Sequence, residues 1–345
     1  MEIFKPGMIA LTPPPLTVID LLGVDGAKIL NNLCTGAVLG VNPGEGLEFF
    51  ITEIRGRTLG HVCGYRLADR WRLIGAANQA TAIAAHIDRY TIREDAVPVD
   101  RSGEWSGLLI RPDDLATLGW QFRLGQPLRP PLLRCEHVAA VELNEGDGSQ
   151  GNGTQGDAMM LFEVPWVCDP RRHAEASTDG GVASPLWLVA GPRLQIDAAR
   201  ASVARHGGEI ASEEAFHCSR VAAKFPWYGI DLDDRNLPQE VGRDAQGISF
   251  TKGCYLGQET VARLDALGQV QKKLVGWVIE ASQAPPANTE LLSDGKVVGR
   301  LTSIAPGDLP GRFIALGYAR RSHFEPGAVA AWQVDGAEFG RARVI

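Results

Sequence analysis

The chain has 345 residues, 45% of them hydrophobic and 22% charged, with a formal net charge of −7. That length exceeds the roughly 250 to 300 residues at which single cores stop growing, so two or three globular domains are expected. The charge argues against a nucleic-acid coat, the longest apolar runs fall far below the roughly 18 to 20 residues that span a bilayer, and the first residues carry no secretory pattern. A cytoplasmic chain with no direct nucleic-acid or membrane partner is expected.

Residues 16–20 read as a short strand, and Asp25 as the N-cap of a helix whose apolar positions Ile29, Leu30 and Leu33 share one face before Gly36 ends it. Residues 47–52, 59–67 and 71–74 are rich in strand formers and are separated by turns at 55–57 and 68–70. Asn78 is placed to cap a helix over 79–89 with Ile83 and Ile87 inward, residues 91–93 and 107–110 add strands, and Pro112 opens a short helix. Strands interleaved with helices, without Gly-x-Gly-x-x-Gly, indicate an antiparallel α+β layer rather than a dinucleotide fold.

The glycine-rich polar stretch 144–157 reads as a mobile loop, lacking the lysine and following helix that a phosphate loop needs. Residues 168–183 read as a second loop, between strands at 159–164 and 186–190. A helix over 193–206 turns Ile196, Ala199 and Val203 inward, and Ser212 caps another that carries Glu213 and Glu214 in its first turn and Arg220 near its end. After Lys273 short strands follow one another, with Asp294-Gly295 and Asp335-Gly336 as tight turns, a pattern that suits a small barrel.

The six cysteines, at 34, 63, 135, 168, 218 and 254, include no C-x-x-C pair, so neither a metal centre held by this chain nor a disulfide framework is expected. Between Arg220 and Lys273 eight cations face seven acids, a balance that fits a small anionic ligand better than a phosphate backbone.

The densest chemistry lies in Thr251-Lys252-Gly253-Cys254-Tyr255-Leu256-Gly257-Gln258-Glu259-Thr260, where a cation, a thiol, an amide and a carboxylate are separated by two glycines. A turn leading into a helix sets Cys254 near a positive N-terminus, and Lys252 favours the thiolate further. The alternatives are a small buried cysteine and a structural ion-pair network of Lys252, Glu259 and Arg263.

This decapeptide, preceded by Leu237-Pro238-Gln239-Glu240 and followed by Arg263 and the run from Gly268 to Lys273, resembles the signature of the YgfZ-like folate-binding proteins. These are relatives of the glycine cleavage T-protein (aminomethyltransferase) that assist iron-sulfur enzymes. The resemblance implies a three-lobed α+β fold with ferredoxin-like layers and a C-terminal β-barrel. Its lobes would be 1–45 with 186–272, then 46–185 with the two loops, then 273–345.

It further implies a central opening for tetrahydrofolate. Glu240 would meet the pterin edge, Tyr228 and Tyr255 would wall the ring, and Lys252 and Arg263 would meet the glutamate tail, with Gln258 and Glu259 completing the binding set. Cys254, assisted by Lys252, is the expected reactive thiol at the mouth of that opening, and the expected partners are iron-sulfur client or assembly proteins, including those of tRNA modification. Two departures count against aminomethyl transfer. Gly60 stands where the transferase strand carries an aspartate, and Ala222 where it carries a pterin-gripping glutamate. Aminomethyl transfer is the alternative function, and a non-catalytic module using the same cleft is a third.

Overall fold

The structure, a computed structural model, describes residues 7–121, 132–137, 139–140, 158–169, 185–267, 270–334 and 337–345. The expected loops at 144–157 and 170–183 and the Asp335-Gly336 turn lie outside the described residues.

The chain begins with strands β1 (Ile9–Leu11) and β2 (Leu16–Leu22) and helix α1 (Gly26–Leu33). A meander of β3 (Glu45–Thr52), β4 (Thr58–Arg66) and β5 (Arg70–Ala76) follows, then α2 (Ala80–Tyr90), β6 (Val97–Asp100), β7 (Trp105–Ile110) and α3 (Pro112–Thr117). Next come β8 (Trp120–Gln121), β9 (Leu132–His137), β10 (Ala139–Ala140), β11 (Met160–Cys168), β12 (Pro185–Pro192), α4 (Arg193–Arg205), β13 (Glu209–Ala211) and α5 (Glu213–Ala222). Short helices α6 (Asp244–Gly247) and α7 (Gln258–Leu267) lead to β14 (Lys272–Ala281), β15 (Glu290–Ser293), β16 (Lys296–Pro306), β17 (Arg312–Arg320), β18 (Val329–Val334) and β19 (Ala337–Val344).

One sheet of eleven strands, in the order β13-β1-β7-β12-β11-β9-β3-β4-β5-β2-β6, forms the body, and its strands come from both sides of residue 45 and of residue 185. Alternation along β3 and β4 explains how it is covered. Leu47, Phe49, Ile51 and Val62 pack under Ile29, Leu30 and Leu33 of α1 and Ile83 and Ile87 of α2, while Cys63 and Tyr65 join a second core with Phe162, Trp166 and Trp227. Helix α4 buries Ile196, Ala199 and Val203, as its periodicity requires, against Leu108, Leu161 and Trp187.

Strands β14 to β19 close a six-stranded barrel in the order β14-β17-β16-β15-β18-β19 around Trp277, Leu301 and Trp332. Its β15–β16 turn is Asp294-Gly295, both at positive φ (50° and 71°), the conformation that tight hairpins demand. The expected α+β class with a C-terminal barrel is the observed one.

Three local readings are corrected. Asp25 precedes α1, but its carboxylate accepts from the Asp95 backbone instead of capping the helix. Asn78 adopts a left-handed φ of 68° one residue too early to cap α2, whose neighbour Gln79 instead donates its N–H to Thr17 Oγ1. Residues 91–93 form no strand: the Glu94 carboxylate accepts from the backbones of Ile92 and Arg93 and curls the segment outward, leaving Ile92 85% exposed. Ser212 does cap α5, accepting from the Ala215 N–H at 3.3 Å.

Candidate functional site

Where α1 ends, its last carbonyls lack partners within the helix. Lys252 supplies one to the helix and two to the chain just beyond it. Its Nζ donates to Asn31 O (2.7 Å), Cys34 O (2.8 Å) and Gly36 O (2.7 Å), which uses all three ammonium protons and sets a cation at the negative end of the helix. The Leu256 N–H donates to Asn32 O and Thr52 Oγ1 donates to Leu256 O, so the same turn is tied to α1 on one side and to β3 on the other. Gly257, at φ +82°, lies where a side chain would collide with Glu53 O and the Gly56 backbone.

These ties leave Gly253 and Cys254 exposed at the crest of the turn. Cys34, Cys63, Cys135 and Cys168 are buried and Cys218 is half-buried, and burial pushes the pKa of each of these five thiols up.

Lys252 therefore anchors the turn and has no proton left to donate to a ligand's tail. Tyr255, 7% exposed, packs with Phe50, Val241, Ile248 and Val261. Gln258 accepts from the Tyr255 N–H at 3.3 Å as α7 begins. Glu259 and Arg263 lie exposed on α7, and among the described residues no ion pair joins either to Lys252. Glu240 closes a helical turn by accepting from Leu237 N (3.3 Å) and Asn236 Nδ2 (3.0 Å), and pairs with Lys272 of the barrel (3.3 Å). Its carboxylate is engaged by the protein itself.

A small open cleft with room for about one water molecule is lined by His61, Val62, Gly75, Ala76, Trp166 and residues 225 to 228. Of the expected site residues only Tyr228 lines it, its hydroxyl donating to Leu59 O at 3.1 Å and its pKa pushed by burial up to about 12. Cys254 does not line it, because its turn is drawn onto α1. Gly60 does not face it either: a side chain there would meet Ile83 of α2 and Gln79 just before it.

One group at the cleft escaped the sequence reading. His61 opposes Phe50 across the β3–β4 pair and stacks on it (4.6 Å, 13°), with Phe225 stacked beyond (5.5 Å, 19°). His61 Nε2 lies 2.8 Å from Glu48 Oε1, and Arg243 grips both oxygens of that carboxylate while its guanidinium lies 5.1 Å from the Phe225 ring centroid. Burial pushes the Glu48 carboxyl up, but Arg243 and His61 outweigh it and hold the pKa at about 2. The available signal was a glutamate set between Leu47 and Phe49 in a strand, since a buried charge demands a partner.

The family model for the glycine cleavage T-protein C-terminal barrel domain matches residues 272–345. An aminomethyltransferase of Streptomyces avermitilis is 32% identical over 324 residues, covering 90% of this chain and 77% of that protein. The tRNA-modifying protein YgfZ of Colwellia psychrerythraea is 41% identical over 64 residues (18% of this chain, 20% of that one), and a mitochondrial iron-sulfur cluster assembly factor homolog of Neurospora crassa is 27% identical over 133 residues (38% and 30%). The crystal structure of the glycine cleavage system aminomethyltransferase T from Bartonella henselae superposes with a TM-score of 0.75 at 16% identity, covering 99% of this chain and 85% of that one. The chain thus belongs to the family of YgfZ-like proteins related to the glycine cleavage T-protein.

Proposed function

We propose that this chain is an accessory protein that supports the assembly or repair of iron-sulfur enzymes, including those that modify tRNA, with the Cys254 thiol as its working group. The observation that carries this reading is the turn itself: of six cysteines it holds the exposed one, on a crest fastened by the three Lys252 bonds and the Leu256 ties. A thiol so presented can meet a partner protein, whereas the other five are covered wholly or in part. Relatives named for cluster assembly and for tRNA modification point the same way. The expected partners are cluster-bearing client or assembly proteins in the cytoplasm.

Reduced folate belongs to the proposal as the ligand of the cleft. Trp166, Phe225 and Tyr228 offer flat walls, and the cleft, which has room for about one water molecule, would have to widen to admit the ring. Arg263, exposed on α7, remains as a cation for that tail, and the lobes 1–45 with 186–272 and 46–185 would flank the cleft. When bound, the folate would supply a one-carbon carrier nitrogen.

Aminomethyl transfer is the second reading, favoured by the relative that covers most of the chain. Among the described residues no carboxylate lines the cleft, and the Glu48 and Glu240 carboxylates are held by Arg243 and His61 and by Lys272. Two assays decide between them. Expression in a strain lacking its own YgfZ-type protein should restore iron-sulfur enzyme activity with the wild-type chain and fail with Cys254→Ala, and full restoration by that variant would remove the thiol from the mechanism. Tetrahydrofolate-dependent release from an aminomethylated carrier protein should stay at background, and turnover well above it would favour the transferase.

A further inference from the structure

A buried guanidinium sits where α5 of the body meets the barrel. Arg220, 1% exposed, donates through Nη1 to Asp231 Oδ2 (2.6 Å) and Phe225 O (3.3 Å), through Nη2 to Ser303 Oγ of β16 (2.7 Å), and through Nε to His217 Nδ1 (2.8 Å). Asp231 in turn accepts from the Trp227 N–H and from the hydroxyls of Thr302 and Ser303, so one knot fixes the segment after α5 and the barrel strand together.

The histidine is the conditional member of that set. A guanidinium can only donate, so the nitrogen facing Arg220 Nε carries a lone pair, and His217 is neutral with its proton on Nε2, which lies 3.7 Å from Glu213 Oε1. Protonation would set an N–H against an N–H and a second positive charge beside a buried first. The charged groups that face His217 are Arg220 and Glu213 on its own helix and Asp231 from the segment after it, and the barrel reaches the knot through uncharged hydroxyls. Glu213 is exposed and Asp231 is already gripped by Arg220, so neither offsets that clash. Burial, reinforced by Arg220, holds the His217 pKa below its ordinary 6.5.

We propose that His217 is a proton-sensitive latch on the joint between body and barrel. Neutral, it completes the acceptors of Arg220 and the joint is closed; protonated, it withdraws one and the joint loosens. A side chain 27% exposed lets a proton reach the ring from solvent. The parts set free would be those that Arg220 and Asp231 hold, the 225–228 segment and β16, while the Cys254 turn stays tied to α1 and β3. Linkage gives the sign: the unfolded chain takes up its histidine proton near 6.5 and the folded one at lower pH, so the stabilisation is complete above about 6.5 and is lost as pH falls below it.

The test uses the full chain and nuclear magnetic resonance. Labelled histidine should show His217 protonated on Nε2 alone at about pH 7.5 and titrating below the ordinary value. His217→Asn places an acceptor, Oδ1, where Nδ1 stands and does not titrate. Burial also lowers the pKa of His86, so wild type and variant are compared at the same pH, which cancels its part and the intrinsic exchange chemistry. At about pH 5 the Trp227 N–H should exchange about tenfold faster in wild type than in His217→Asn, the size of one lost hydrogen bond to a charged group. At about pH 7.5 the two rates should agree, and the Leu256 N–H of the thiol turn should not differ at either pH.

A ring protonated on Nδ1 at the higher pH, a His217 pKa at or above the ordinary value, or Trp227 exchange within about twofold at the lower pH would each overturn the inference. A difference as large at Leu256 as at Trp227 would place the loss in the whole fold and overturn it too. The histidine titration needs no variant, so a His217→Asn chain that fails to fold does not rescue it.

Discussion

Two side chains two residues apart do opposite things. Lys252 is consumed by three carbonyls at the end of α1, and Cys254 is left exposed by that anchoring. Lys252→Met should lower stability by about 2 to 3 kcal/mol, the range for lost charge-assisted bonds, measured as a shift in the denaturant midpoint. A shift within error would show that the carbonyls find other partners. In the native protein a thiol reagent should modify one cysteine in a fast phase, with Cys218 slower and the rest protected until unfolding, and Cys254→Ala should abolish the fast phase. The decapeptide was legible as a site because its residue types are concentrated in sequence. The division of labour within it was not, since the partners of Lys252 lie more than 200 positions away.

At the level of elements, the β3–β4 pair carries a charged network inside an otherwise apolar sheet. The Glu48 pKa is held at about 2, below an ordinary carboxylate near 4.5, so its contribution to stability is complete above the ordinary value and disappears as pH falls toward 2. That displacement amounts to about 3 kcal/mol. Glu48→Gln should flatten the acid limb of a stability-versus-pH profile between those two values, and an unchanged limb would show that other carboxylates dominate it.

Elements with strong periodicity or a clear cap were readable, as α4 and the Ser212 cap of α5 demonstrate. Asp25 and Asn78 misled because their local capping preference lost to distant bonds and to a left-handed turn. Residues 91–93 have strand formers, but Glu94 captures their N–H groups first.

At the scale of the molecule, the barrel is joined to the body through a buried knot. Asp231 accepts from Arg220 Nη1 (2.6 Å), from the Trp227 N–H (2.9 Å) and from the hydroxyls of Thr302 and Ser303 on β16, while Val221 of α5 packs against Leu274, Leu316 and Tyr318. Asp231→Ala strands a buried guanidinium and should cost about 3 to 5 kcal/mol. It should also split a single thermal transition into separate barrel and body transitions, seen by calorimetry. A single transition at the wild-type temperature would show that apolar packing alone couples them.

The barrel was readable from its evenly spaced short strands and the Asp294-Gly295 turn. The cleft was not, because its walls come from β4, β5, β11 and the segment after α5. No periodicity announces which strand ends meet.

The most direct measurement on the whole account is iron-sulfur enzyme activity in cells that lack a YgfZ-type protein, supplied with either wild-type chain or Cys254→Ala at equal abundance and equal melting temperature. The account predicts restored activity with the first and the unsupplemented level with the second. Equal restoration by both would contradict it.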